Sequence, residues 1–404
     1  VVSGTENATD FNQFLLPDYT RRKEFETVSK QTKTTLSTVL SHKFNAKHYI
    51  RTGAYVNFLN FDFTQGSYQL AEEQFRQELD QTGQTQTVDG FFQWQYRPTS
   101  RVTFNLGAHG LAMLLNNRVS LEPRASLRYA HNPKHAFSIG YGLHGQIPTL
   151  GVYFVKDVEG QLLNPDLDIQ KSHHLVFSYD YSPVKNLRLK SELYYQRLFN
   201  IGVERDKTSS FSLLNEIDGI AFRELNNSGL GRNYGLEFTA EQFLTRGLYF
   251  LASVSLYRSE YRGSDEEWRS SRFDGKFATS FTAGKEWDWS RKGKNRSFGV
   301  NIKLLGTGGQ KATPIDLTAS IARGETVYID DQAFTNQQPA YFRLDTGFRL
   351  KRNYKHLTTT VSLDIQNTTN RANYGGEFYN PFTQKVESWS QGPLIPVLAY
   401  RLEF

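Results

Sequence analysis

Apolar and polar residues alternate with a period of two along most of the chain, the mark of strands that show one face to an apolar surrounding and the other to a polar one. Near the C-terminus Leu357, Thr359, Val361, Leu363 and Ile365 share a face, opposite Thr358, Thr360, Ser362, Asp364 and Gln366. Phe342, Leu344, Phe348 and Leu350 oppose Arg343, Asp345 and Arg349 in the same way. Leu187, Leu189, Leu193 and Tyr195 oppose Arg188, Lys190, Glu192 and Gln196, and Leu121, Ala125, Leu127 and Tyr129 oppose Glu122, Arg124, Ser126 and Arg128. About fifteen segments fit this template, and helical periodicity is nearly absent. Short connections at 45–47, 97–100, 131–135, 182–186, 245–247, 290–295 and 352–355 alternate with mostly longer ones at 65–85, 115–119, 147–169, 199–231, 260–271, 306–339 and 368–393. Sorting of links by parity predicts an all-β, antiparallel up-and-down meander with a turn end and a loop end, which a soluble sandwich has no reason to adopt.

The volume to be filled decides which way the apolar face points. A soluble barrel must pack its apolar side chains inside, and about fifteen long strands enclose more space than those side chains fill. The apolar face is therefore expected to meet lipid. Backbone groups in hydrocarbon must all be paired, so such a sheet is expected to close into a transmembrane β-barrel. Tyr49, Trp94, Tyr96, Tyr129, Tyr181, Tyr195, Tyr234, Tyr257, Trp287 and Tyr400 fall near segment ends, where aromatic girdles sit at headgroup level.

Composition agrees with this and removes other classes. The 404 residues include 30 Phe, 22 Tyr and 5 Trp but no Cys and one Met, so disulfides and thiolate metal sites are absent together. The formal charge of +6 is spread without a Lys/Arg run, which leaves no case for a nucleic-acid partner. No stretch reaches the ~18 apolar residues of a spanning helix. Val1-Val2-Ser3-Gly4-Thr5 carries no signal-peptide pattern, so either a leader was cleaved or the chain is a fragment.

The last strand alternates Leu398, Tyr400, Leu402 and Phe404 with Ala399, Arg401 and Glu403, and resembles the assembly signal of bacterial outer-membrane proteins. Asn164-Pro165-Asp166-Leu167, followed by Lys171-Ser172-His173-His174, then Asn233-Tyr234-Gly235-Leu236-Glu237, then Asp364-Ile365-Gln366-Asn367-Thr368-Thr369-Asn370, follow one another in the order and spacing of a known family. Together they resemble the C-terminal barrel of a TonB-dependent outer-membrane receptor of the kind common in Bacteroidetes, with Gln170 where that family often has Glu. The resemblance implies a barrel of about twenty-two strands with a plug domain inside. It also implies a Gram-negative outer membrane, and partners in lipid, the TonB complex and the barrel-assembly machinery. Neither plug nor TonB-box is identifiable. Residues 1–26 are then expected to be the tail of a preceding extracellular loop and 27–404 the C-terminal portion of the barrel, with the plug and remaining strands elsewhere in the same polypeptide.

Function on this reading is energised uptake of a scarce solute, such as a ferric siderophore, haem, cobalamin, a glycan or a peptide. A passive porin or structural barrel without a plug, and an outer-membrane barrel enzyme, stand as alternatives; a β-propeller is disfavoured because no blade repeat is present. No nucleophile elbow, His-Glu-x-x-His or paired-carboxylate arrangement appears, so no catalytic residue, metal site or cofactor is expected. His173 and His174 are neighbours on a strand and point to opposite faces. Asp265-Glu266-Glu267 reads as a solvated loop tip rather than a cation site. Gly306, Gly308 and Gly309 read as a bend and not a phosphate loop. The candidate luminal wall consists of Arg124, Arg128, Arg188, Lys190, Glu237, Lys303, Arg343, Asp345 and Arg349, charges that are costly toward lipid and stand ready to meet a plug or an anionic solute. Phe211, Phe222, Tyr328 and Phe334 are the candidate ligand contacts in the outer loops.

Overall fold

The computed structural model describes residues 2–15, 20–69, 73–217, 220–291 and 294–404. The elements in chain order are β1 (Val2–Leu15), β2 (Thr20–Lys43), β3 (His48–Gln69), β4 (Gln74–Tyr96), β5 (Val102–Met113), β6 (Arg118–Asn132), β7 (His135–Gln146), β8 (Gln170–Tyr181), β9 (Leu187–Glu204), β10 (Leu225–Thr245), β11 (Leu248–Arg262), β12 (Trp268–Ser270), β13 (Phe277–Arg291), β14 (Lys294–Thr307), β15 (Lys311–Ala312), α1 (Leu317–Arg323), β16 (Asn336–Gln337), β17 (Tyr341–Asn353), β18 (Thr358–Gln366), β19 (Asn373–Asn380), β20 (Lys385–Gln391) and β21 (Ile395–Glu403). One antiparallel sheet holds seventeen strands, sixteen of them long once the three-residue β12 is set aside. β15–β16 and β19–β20 are separate ribbons in the outer links. Every long strand pairs with the next long strand in sequence, so the meander and the parity of its links are as expected. Among the described residues β1 pairs only with β2 and β21 only with β18.

Cross-strand register gathers the apolar residues into a continuous outward belt. One row runs Leu36, Val56, Val88, Ala112, and another Leu106, Ala125, Tyr141, Leu175, Tyr195, Tyr234. At the C-terminal end Phe348, Leu363 and Leu398 form a third, with Tyr400 opposite Val361 and Leu402 opposite Thr359. Large apolar side chains such as Leu121, Leu193 and Leu398 are exposed on this face, which water would not tolerate over so wide a sheet and acyl chains do. At the short-turn end the belt closes on stacked rings. His48 stacks on Tyr96 at 4.8 Å, Tyr96 on Trp94 at 5.5 Å, His135 on Tyr181 at 4.8 Å, and Trp287 on Phe298 at 6.0 Å. Each such pair adds about 0.5–1.5 kcal/mol beyond its burial.

The turns at that end follow from local chemistry. The two-residue link Arg246-Gly247 has φ of 52° and 76°, the mirror-image turn that matches strand twist, and a Cβ at Gly247 would strike the Glu286 carbonyl. Asn45 and Asn132 close their turns alike, each Oδ1 accepting two backbone N–H groups at 2.8 and 3.0 Å.

At the loop end strand pairing runs through two stretches expected to be links. Within residues 1–26 lie β1 and the start of β2, paired as a hairpin with Val2 opposite Thr34 and Leu15 opposite Thr20; residues 1 and 16–19 lie outside the described set. The long link expected at 65–85 shrinks to the tip between Gln69 and Gln74, its residues 70–72 also undescribed. In β3 the polarity flips between Phe58 and Leu59. Val56 and Phe58 face outward, but Leu59, Phe61 and Phe63 face inward and Asn60 and Asp62 outward. Above that step the pattern is that of a soluble sheet, so a search for outward apolar alternation loses it.

The inward apolar patch is the floor of a core made by outer links. Val152 and Tyr153, in the turn Leu150–Phe154, are fully buried with Phe61, Phe63, Leu79 and Met113 of β3 to β5 and with Leu167, Ala221 and Leu225. The links thus fold over the polar face of the meander, which makes that face the inside. Their ends are stapled by Asn164, whose Nδ2 donates to the Val152 and Arg223 carbonyls at 3.2 and 2.9 Å and whose Oδ1 accepts from Leu225 N–H at 2.8 Å.

Candidate functional site

The inner wall is built from residues that alternate with the belt. Strand parity puts the nine candidate wall charges on the face opposite the belt, and cross-strand spacing joins most of them to partners. Arg128 and Arg188 both donate to Asp180, at 2.9 and 2.8 Å; Arg124 donates to Glu122 at 3.0 Å; Lys190 meets Glu192 at 2.7 Å. Arg343 donates to Asp345 at 2.7 Å, with Lys303 directly opposite Asp345, and Glu237 accepts from Ser255 at 3.3 Å. Arg349 lies between Gly299 and Ser362 in register.

Sequence reasoning found the cations here together with Glu237 and Asp345, and left three other carboxylates out of the candidate wall. Asp180, Glu122 and Asp89 belong to the same surface, and His109 bridges two of them, with Nδ1 3.0 Å from Glu122 and Nε2 3.5 Å from Asp89. The row continues through Asn57, whose Nδ2 donates to Asp89 and Thr87 at 2.9 Å and whose Oδ1 accepts from Thr35 at 2.8 Å. Their signal was the facing register, since Lys190 is the cross-strand partner of Asp180 and His109 that of Glu122. His144 and His174 lie 4.4 Å apart between ring centres at the edge of an inner hollow of about 740 Å³, which also takes in Arg51, Tyr55, Phe91 and Arg124. His173, as its neighbour's opposite, stacks outward on Phe199 at 5.1 Å.

The family-like motifs have physical roles in this wall. Gly235 leaves room for the Tyr194 ring, which a Cβ would strike, while Asn233 donates to Gln196 at 3.0 Å. Asn367 ends β18 with φ of 50°, its N–H donating to Asp345 at 2.9 Å and its amide to the Arg371 and Gly392 carbonyls at 3.0 and 3.2 Å.

Three outer links meet above the wall around a cavity of about 600 Å³. Phe211, Tyr328 and Phe334 line it, so three of the four predicted loop aromatics share one chamber. Phe222 does not join them and packs against the loop core instead. Arg223 lies over the Phe211 ring at 4.9 Å and Arg272 over Phe334 at 5.6 Å, presenting guanidinium edges to the space. Asp206, Asp330 and Asp331 add carboxylates, and the backbone N–H and hydroxyl of Thr208, both at 2.9 Å, hold Asp206 below the usual carboxylate range. Asn215 is 5% exposed, accepts from the Arg272 N–H at 2.9 Å, and lines the chamber with an Nδ2 that has no partner among the described residues. Asp265 and Glu267 are held by Arg269, at 2.6 and 3.0 Å. Such a chamber offers a solute ring faces, both signs of charge and an unused amide donor. Among the described residues no group of three His, Cys, Asp or Glu side chains is placed to hold a metal ion.

Comparison with known proteins places this geometry. The family model described as TonB dependent receptor-like, beta-barrel matches residues 2–367. Among solved structures the chain is similar to the ferric yersiniabactin uptake receptor of Yersinia pestis, with a TM-score of 0.64 and 12% identity over 100% of this chain and 58% of that one. It is similar to the ferripyoverdine receptor of the outer membrane of Pseudomonas aeruginosa, with 0.63 and 11% over 99% and 52%. The ferric preacinetobactin receptor of Acinetobacter baumannii gives 0.62 and 13% over 100% and 59%. At these identities the likeness is one of fold, and the chain spans a little over half the length of these receptors. No curated protein matches the sequence.

Proposed function

The chain belongs to the TonB-dependent receptor-like β-barrel family of Gram-negative outer membranes, and from that premise we propose that it is the C-terminal wall of a receptor that takes up a scarce solute under energy from the TonB complex. The observation that carries this reading is the chamber of about 600 Å³ roofed by three outer links and opening over a wall of paired charges. Capture takes place among Phe211, Tyr328, Phe334 and the charged side chains around them, and passage follows the inner wall once a plug moves. No bond of the solute is broken in this scheme. The related structures bind ferric chelates, a copper transporter being another of the same fold, and a ferric chelate is the first solute to try.

The missing partners follow from the same physics. Strand edges at β1 and β21 leave backbone groups that cost several kcal/mol each in hydrocarbon, which supports further strands of the same polypeptide closing the barrel. Leu398, Tyr400 and Leu402 lie outward on that edge and Phe404 is 98% exposed, a surface fit for the barrel-assembly machinery.

Planar-bilayer recordings on the full-length protein separate this reading from a passive porin without knowledge of the solute. A plugged receptor holds the membrane resistance until the plug is loosened with urea. Steady ohmic conductance from the untreated protein would overturn the proposal. With radio-iron chelates as probes, uptake should also stop when the proton gradient is collapsed.

A further inference from the structure

The chamber between the outer links is lopsided in charge. Its lining has six carboxylates, Glu204, Asp206, Glu216, Asp265, Asp330 and Asp331, and three guanidiniums, Arg223, Arg269 and Arg272. Arg223 pairs with Glu204 at 2.7 Å and Arg269 with Asp265 at 2.6 Å. Among the described residues Asp206, Asp330 and Asp331 have no ion-pair partner, and Arg272, over the Phe334 ring, has none either. The lining therefore keeps an excess of three negative charges. At physiological salt the Debye length of ~8 Å is comparable to the width of a space of about 600 Å³, so the excess acts across the whole chamber. It draws cations in and turns anions away.

A second feature says what kind of cation. Asn215 is 5% exposed, and its Oδ1 accepts the Arg272 N–H at 2.9 Å, which fixes the amide so that Nδ2 is the donor left over. A buried N–H is costly to leave unpaired, so this one calls for an oxygen acceptor on the occupant. A bare metal ion has no such atom and is repelled by the N–H dipole. The Tyr328 ring, 50% exposed and under no guanidinium among the described residues, offers a face to the body of a solute and to its positive charge.

Resting on the reading of this chamber as the capture site, we propose that it selects a small organic cation. A protonated amine is drawn to Asp206, Asp330 and Asp331, an oxygen of the solute accepts from Asn215 Nδ2, and Tyr328 packs on the solute's body. Among ferric chelates this singles out those that keep a free amine.

The chain has no cysteine, so a single thiol can report the chamber's potential. In the full-length protein, with any cysteine elsewhere replaced by serine, Ser210→Cys places that thiol next to Asp330, whose carbonyl Ser210 meets at 3.5 Å. Phe382→Cys, at an exposed ribbon turn flanked by uncharged residues, serves as the reference. Each is labelled with two methanethiosulfonate reagents of similar size, one ending in trimethylammonium and one in sulfonate. The ratio of cationic to anionic rates, divided by that at the reference, should be about tenfold, as expected for ~3 charges acting over ~6 Å of water-like medium. Asp330→Asn with Asp331→Asn should lower it to about twofold, because the logarithm of the ratio follows the charge. Heat-modifiable mobility verifies that each variant is folded. Tyrosinamide, which has a ring, an amine and a carbonyl, should slow labelling at Ser210→Cys more than tyramine, which lacks the carbonyl, and far more than the anion N-acetyltyrosine. Equal normalised rates for the two reagents, or equal protection by the three solutes, overturn the proposal and leave the capture reading standing. A preference that micromolar calcium abolishes overturns it as well, by making the carboxylates a hard-cation site. Labelling of Phe382→Cys with none of Ser210→Cys by either reagent closes the chamber to solutes and strikes both readings.

Discussion

Asn164 offers the sharpest test of how the outer links are held. It is 2% exposed, and its amide serves three main-chain groups: the carbonyls of Val152 and Arg223 and the N–H of Leu225. Asn164→Leu keeps the volume and removes all three bonds, leaving buried polar groups that each cost about 1–3 kcal/mol unpaired. Even the lower figure for each sums to about 3 kcal/mol, roughly a hundredfold in the opening equilibrium of the two links. Hydrogen exchange read by mass spectrometry on the intact protein should show peptides from 147–169 and 211–225 exchanging about a hundredfold faster, with β13 to β18 unchanged. Asn164→Asp, which keeps an acceptor and loses both donors, should fall between. Protection within about threefold of wild type in the Leu variant would refute the reasoning and leave the packing of Tyr153 on Phe61 and Phe63 as the whole of the restraint.

Three further outcomes are expected. Asp180→Asn removes the anion shared by Arg128 and Arg188 and should lower stability by about 1–3 kcal/mol in urea unfolding, toward the low end because both guanidiniums reach water; an unchanged midpoint would show that water replaces the pair fully. Gly235→Val drives a side chain into the Leu256 carbonyl and the Tyr194 ring and should cost about 1–3 kcal/mol, with Tyr194→Ala in the same chain restoring only the share due to the ring. Burial, aided by the charge of Asp168, raises the Tyr153 phenol above its ordinary value of 10.0. The folded state then holds a proton that the unfolded state loses, so the loop core is at full stability below pH 10 and weakens as pH climbs toward the raised value. Exchange of the 147–169 peptides against pH should show this in wild type and lose it in Tyr153→Phe; an identical slope in both assigns the effect elsewhere.

What the residues disclosed follows the solvent each segment meets. Within the bilayer one face must be apolar, so Leu187, Leu193, Phe348 and Leu363 announced their strands and their outward direction, and Arg128, Lys190 and Asp345 the wall behind them. Pairing across that wall was not legible, because Asp180 meets Arg128 only once strand register is known. The chamber was half legible. Aromatics in long links marked Phe211, Tyr328 and Phe334 as candidates, but nothing local separates them from Phe222, which packs on the core, as Phe211 also does, without lining the chamber. The motif residues serve as joints. Asn164, Gly235 and Asn367 each settle where a loop or a ring lies.

The flip between Phe58 and Leu59 joins these observations. A strand with outward Val56 and Phe58 and inward Phe61 and Phe63 has two solvents on its outer side, lipid below and water above. Above the flip an inward apolar surface needs a cover, and the links carrying Val152, Tyr153 and Ala221 supply it. That cover in turn sets the height at which the next links, with Phe211, Tyr328 and Phe334, form their chamber. On the proposed reading the chamber stands beyond the outer leaflet, reachable from the surroundings of the cell, while the charged wall begins below it. Placing a capture site there requires no residue dedicated to position it. It requires only that the alternation change phase by one residue at the membrane surface, since a one-residue shift exchanges the two faces of a strand.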